Sequence, residues 1–141
     1  MEEFEIRDGI EMMDFPKVTQ MQAKTYWTPG IGIDEVKKGA VNSALVVGVF
    51  GSAQSQIGYA RVVSDKTRFA YIMDVYVDED FRKQGIGKKI IRYILSHNEL
   101  KDVYQWLLIT KDAHELYSEF GFKSVSRPLD FMEIRNERPI R

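Results

Sequence analysis

The chain has 141 residues, 44% hydrophobic and 29% charged, with a formal net charge of −1. That is the size and balance of one soluble domain with one continuous core, and a near-neutral chain is not drawn to nucleic acid by its charge. With no cysteine, disulfides, thiolate metal sites and a cysteine nucleophile are all excluded.

The acidic start Met1-Glu2-Glu3-Phe4-Glu5 lacks the basic-then-apolar order of a secretory signal. The longest apolar run, Ala44 to Phe50, is too short to span a bilayer. A cytoplasmic protein folded as one domain over residues 1–141, with no membrane partner, is expected. In chain order, the alternation Phe4-Glu5-Ile6-Arg7 predicts a first strand. Asp14 followed by Pro16 predicts a helix start, with Val18, Met21 and Gln22 leading on toward Thr25 until Thr28-Pro29-Gly30 breaks it. Asp34 is read as the cap of a short second helix through Val36 and Val41. Three strands follow, Ala44–Phe50, Gln56–Val63 and Phe69–Val77, separated by the turns Gly51–Ser55 and Asp65–Thr67, which makes an antiparallel meander.

After Val77 the period changes from 2 to 3.6. Ile86, Ile90, Ile91, Ile94 and Leu95 form an apolar stripe with Lys88, Lys89 and Arg92 opposite, a helix that ends near His97-Asn98. Tyr104 to Thr110 reads as a buried strand, and Asp112 as the cap of a helix with Ala113, Leu116, Tyr117 and Phe120 on one face. Gly121 stops that helix as its C′ residue. Phe131-Met132-Glu133-Ile134 reads as a last strand. The strand–helix–strand unit from Phe69 to Thr110 requires a parallel crossover, so the class is α/β with a mixed sheet.

The segment from Val75 to Lys89 carries the chemistry. A strand passes through a short loop to Gly85 and Gly87, where a helix begins among Arg82, Lys83, Lys88 and Lys89. First-turn N–H groups without acceptors, the helix dipole and glycine backbone open to close approach together favour a diphosphate. A dinucleotide fingerprint is excluded because Ile90 stands where its third glycine belongs, and no Lys-Ser/Thr follows to make a Walker loop. Two scattered histidines make no metal site, and no nucleophile-elbow sequence supports a Ser/His/Asp triad.

Arg82-Lys83-Gln84-Gly85-Ile86-Gly87 resembles the Arg/Gln-x-x-Gly-x-Gly/Ala signature of the GNAT superfamily of N-acetyltransferases. Asp74-Val75-Tyr76-Val77 is similar to the end of that family's fourth strand, and Ala113 to Phe122 resembles its Ala-x-x-Leu-Tyr-x-x-x-Gly-Phe helix. Tyr26-Trp27 with Gly30, and Phe131–Ile134, are similar to a group of short bacterial members. The resemblance implies a GNAT-like, mainly antiparallel sheet with helices on both faces and a splayed central strand pair. It implies an acetyl-CoA-dependent N-acetyltransferase in which an amine attacks directly in a ternary complex.

By the same resemblance, the backbone of Gln84, Gly85, Ile86, Gly87 and Lys88 would hold the coenzyme diphosphate, with Arg82 and Lys83 beside it. The strand of Val75, Tyr76 and Val77 would bind the pantetheine arm, chiefly through the main chains of Val75 and Val77. A bulge there would free the Val75 N–H as an oxyanion donor. Thr110 and Asp112 would add pantetheine contacts. Tyr117 matches the tyrosine that protonates the departing thiolate, and the motif favours that role, although without the motif its place on an apolar stripe would be that of a packed core ring. Asp74 stands either as a base for the incoming ammonium or as a structural carboxylate. Tyr26 and Trp27 either wall the acceptor pocket or pack beneath their loop. The partner would be a small-molecule or peptide amine, with no metal, and a homodimer is compatible with the family. A coenzyme-binding sensor and a protein-interaction module on the same fold are the alternatives.

Overall fold

The structure, a computed structural model, describes residues 3–141. It divides into two compact units, one ending at Ile109 and the other covering Thr110–Arg141.

The first unit holds β1 (Glu5–Asp8), α1 (Phe15–Ala23), α2 (Ile33–Val41), β2 (Leu45–Phe50), β3 (Gln56–Ser64), β4 (Phe69–Val77), α3 (Ile86–Leu95) and β5 (Gln105–Leu107). The sheet order is β1-β2-β3-β4-β5. The first three pairings are antiparallel and β4–β5 is parallel. Every residue of β2 is buried, as a strand covered on both faces must be.

Alternation along the strands sends one set of side chains to each face. On one side Val46, Phe50, Tyr59 and Tyr76 pack with Val18 and Met21 of α1 and Val36 and Ala40 of α2. On the other, Val49 and Ile90 of α3 both close on Gly58, at 3.3 and 3.4 Å from where its Cβ would stand. Ile86, Ile90, Ile91 and Ile94 are each at most 1% exposed, and burying one such side chain is worth about 1.5–3 kcal/mol. Four of them fix α3, and therefore its N-terminus, against the sheet. At the far end of α3, Tyr93 and His97 both meet the Asp8 carboxylate of β1. The Tyr93 hydrogen bond, with that from His97, holds the Asp8 carboxyl below its ordinary value.

Helix α1 starts as expected: the Asp14 carboxylate accepts the Lys17 N–H at 3.2 Å, with Pro16 in the first turn. Buried Gln56 accepts the Asp14 N–H at 2.8 Å and donates to the Gly58 carbonyl at 3.0 Å, tying the helix start to β3. Helix α2 corrects the expectation for Asp34. Gly32 is the N-cap, and Asp34 and Glu35 lie inside the first turn, where they act on the helix dipole rather than on a free N–H. The expected buried strand Tyr104–Thr110 is also shorter. Only Gln105–Leu107 pair, while Tyr104 and Ile109 are exposed.

The second unit contains α4 (His114–Ser118). Asp112 does not cap it: Ala113 is the N-cap, and the Thr110 hydroxyl accepts the Ala113 N–H at 3.0 Å. The helix closes as a Schellman turn, with Gly121 at φ +94°, the Phe122 N–H on the Tyr117 carbonyl and the Gly121 N–H on the Ser118 carbonyl. The accompanying apolar contact is the edge-on pair of Tyr117 and Phe122, 5.9 Å between centroids. The strand expected at Phe131–Ile134 does not form. Those residues carry no ladder partner among the described residues, and Met132 and Ile134 are almost wholly exposed. Apolar side chains alone do not make a strand when no neighbour takes up the backbone hydrogen bonds.

Candidate active site

The sheet opens beside β4. Strand β5 pairs only with Phe69, Ala70 and Tyr71, whereas β4 continues to Val77. The direction of the free main-chain groups follows from the other edge. The Asp78 N–H bonds the Ile57 carbonyl at 2.8 Å, and Tyr76 lies opposite Tyr59. Residues 76 and 78 therefore turn their main chains to β3, and by alternation Val75 and Val77 turn theirs toward the opened side. The Val77 carbonyl there accepts from Arg82 Nε at 2.9 Å. Of the three strand residues read from the sequence, Val75 and Val77 thus present main chain, while the Tyr76 ring belongs to the core.

A bulge interrupts β4 at the same place. The register shifts between the pairs Tyr59–Tyr76 and Arg61–Met73, and Asp74 sits at φ +58°. A left-handed non-glycine residue costs on the order of 1 kcal/mol, so something must hold it. Arg61 Nε donates to Asp74 Oδ2 at 2.7 Å, both side chains being less than one-fifth exposed. Arg61 also donates to the Gly39 carbonyl and to Ser43 Oγ, each at 3.3 Å. The Asp74 carbonyl, displaced from the ladder by the bulge, accepts from Gln22 Nε2 at 2.9 Å.

Beyond Val77 a short turn, Glu79–Phe81, leads to the glycine loop. Arg82 is pinned by its bond to Val77 and by its guanidinium, 5.2 Å above the Tyr76 ring. Gly85 caps α3 at φ +79°, ψ +11°. A left-handed residue followed by a right-handed one is the alternation from which anion-binding backbone nests are made. The first helical bond is from the Lys89 N–H to the Gly85 carbonyl, so the Ile86 and Gly87 N–H groups ahead of it have no acceptor within the helix. A Cβ placed on Gly85 meets nothing within 4 Å, so the approach to these N–H groups is open. Lys83 and Gln84 are exposed beside it. These residues fit a diphosphate. They offer no metal site: the described residues contain no group of three or more His, Cys, Asp or Glu able to hold one. No described helix is long and apolar enough to cross a membrane.

Tyr26 and Trp27 follow α1. Tyr26 is half exposed, Trp27 is partly buried, and their rings meet edge-on at 4.9 Å. Trp27 Nε1 donates to Gln22 Oε1 at 3.3 Å, which joins their loop to the residue that holds the bulge. Gln22 was not singled out from the sequence as part of a site. Its signal was there, a polar residue on the apolar stripe Val18, Met21, Gln22, Thr25. In the second unit, Tyr117 is buried and Asp112 is exposed, and the Thr110 hydroxyl is engaged by the Ala113 N–H just ahead of α4.

The family model of the "Acetyltransferase (GNAT) domain" matches residues 43–124, more than half of the chain. A protein from Xanthomonas campestris pv. campestris assigned to the GNAT family superposes with a TM-score of 0.90 at 28% identity, covering 96% of this chain and 95% of that one. The ribosomal-protein-S18-alanine N-acetyltransferase of Escherichia coli shares the fold, with a TM-score of 0.72 at 16% identity over 88% of this chain and 80% of that one. The Homo sapiens cysteine-rich protein 2-binding protein is 29% identical over 119 residues, 84% of this chain but only 15% of that protein's length.

Proposed function

The chain belongs to the GNAT acetyltransferase family, and on that basis we propose that it is an N-acetyltransferase that passes the acetyl group of acetyl-CoA to a primary amine by direct attack in a ternary complex. The observation that carries the reading is the opened edge of β4. Val75 and Val77 offer main-chain groups where β5 has stopped pairing, a few residues before the anion-receptive start of α3. Bound along that edge, acetyl-CoA supplies an activated thioester whose carbonyl carbon the amine attacks.

The protein's own groups would share the remaining work. Val75 N–H donates to the oxygen on which charge develops, and such a donor counts most where water is excluded. Asp74, with Oδ2 committed to Arg61, uses Oδ1 to take the proton of the incoming ammonium, directly or through water. Tyr117 gives its phenolic proton to the departing sulfur, and a phenol with a reference pKa of about 10 keeps that proton at neutral pH. Tyr26 and Trp27 wall the acceptor side, and Thr110 and Asp112 add contacts to pantetheine. The backbone from Gln84 to Lys88, with Arg82 and Lys83 beside it, holds the diphosphate.

Thermal unfolding and turnover test this together. Acetyl-CoA at 100 times its dissociation constant should add about 2.7 kcal/mol, a shift of several degrees, and a panel of primary amines should release free thiol. Gly87→Val is the control variant, because it obstructs the diphosphate path without the backbone strain that valine would meet at Gly85, where φ is +79°. It should abolish most of the stabilisation. Binding without thiol release from any amine would support a sensor instead, and no stabilisation at millimolar acetyl-CoA would overturn the coenzyme assignment.

A further inference from the structure

The geometry points to Gln22 as a positioning residue that aims the Val75 N–H, an inference that rests on the reading of β4 as the acetyl-CoA strand. The peptide between Asp74 and Val75 is planar and trans, so its carbonyl and its N–H point in opposite directions. Whatever fixes the Asp74 carbonyl therefore fixes the direction of the Val75 N–H. Ordinarily a ladder partner would do so, but the bulge and the left-handed Asp74 remove that peptide from the β3 ladder. Gln22 Nε2 replaces the missing donor at 2.9 Å.

The side-chain amide can serve only in one orientation. Trp27 Nε1 is a donor and never an acceptor, so it must face the amide oxygen, which leaves Nε2 to donate to Asp74. Turned over, the amide would set N–H against N–H and oxygen against oxygen. Gln22 is 2% exposed, and its own carbonyl accepts the hydroxyls of Thr25 and Thr28 at 2.8 and 3.0 Å. The loop carrying Tyr26 and Trp27 is thus wrapped around Gln22, and the acceptor side and the oxyanion donor share one support.

The bond itself is measurable in the free protein, by a through-hydrogen-bond NMR correlation between the Gln22 side-chain amide and the Asp74 carbonyl carbon. Its absence overturns the inference, whatever the variant does. The functional consequence is read with acetyl-CoA labelled with 13C at the thioester carbonyl, whose infrared stretch should fall on binding to the parent. In Gln22→Met, which keeps the length of the side chain but has no donor for Asp74, the stretch should return toward its solution value. The acetyl-CoA dissociation constant should stay within about 3-fold and kcat with the best amine of the panel should fall about 10-fold, since a misaimed oxyanion donor costs less than an absent one. A purely structural role for Gln22 predicts lower stability with the carbonyl stretch and kcat of the folded protein unchanged, and that result overturns the inference. Failure of the coenzyme reading would show instead in the parent, as a protein that does not bind acetyl-CoA.

Discussion

Tyr117→Phe is expected to lower kcat about 100-fold while changing stability by no more than about 1 kcal/mol. The substitution retains the ring, and with it the edge-on contact to Phe122 that accompanies the Schellman turn at Gly121. Only the hydroxyl is lost, so the packing and the acid function separate cleanly. Because the proton is needed as the thiolate departs, kcat should fall while acetyl-CoA affinity holds. Pre-steady-state kinetics with an amine from the panel would check this. If the chemical step limits the rate and kcat is unchanged, Tyr117 is a core residue only.

The second large effect is on stability. Arg61→Met should cost about 3–5 kcal/mol in urea denaturation, because it leaves the Asp74 carboxylate largely buried without its counter-charge. The loss also strips donors from the Gly39 carbonyl and Ser43 Oγ. Adding Asp74→Asn to Arg61→Met should recover part of the loss, since the orphaned charge goes with it. A single-variant cost below about 1 kcal/mol would mean that the bulge does not depend on the pair. The pair thus acts first on the fold, as it holds the left-handed Asp74 from which the Val75 peptide continues.

These two cases also mark what was legible in the sequence. Strand β4 is legible from end to end because Phe69–Val77 is apolar but for Asp74 and bounded by turn residues. Helix α3 is legible because its isoleucines recur at helical spacing, and Gly85 marks where it begins. The bulge was implied by family resemblance but not by composition, since nothing about Asp74 as an amino acid announces φ +58°. Its support was harder still to see. Gln22 and Arg61 reach Asp74 from 52 and 13 residues away in sequence, Arg61 across the β3–β4 ladder and Gln22 only through the packing of α1 against the sheet. The misread caps share one cause. Asp34 and Asp112 are good capping residues, but a helix starts where tertiary packing sets its first turn, and here Gly32 and Ala113 occupy the position. Phe131–Ile134 failed as a strand for the complementary reason, because a strand is a property of a pair and the segment supplies one member.

Amide-resolved NMR during a titration with acetyl-CoA shows where on the chain the coenzyme binds. The largest shifts are expected in two separate stretches of the chain, the Val75 and Val77 amides on the open edge of β4 and the Gln84 to Lys88 amides at the start of α3. A titration that leaves both stretches unmoved, or that moves only amides elsewhere on the chain, would contradict the coenzyme reading.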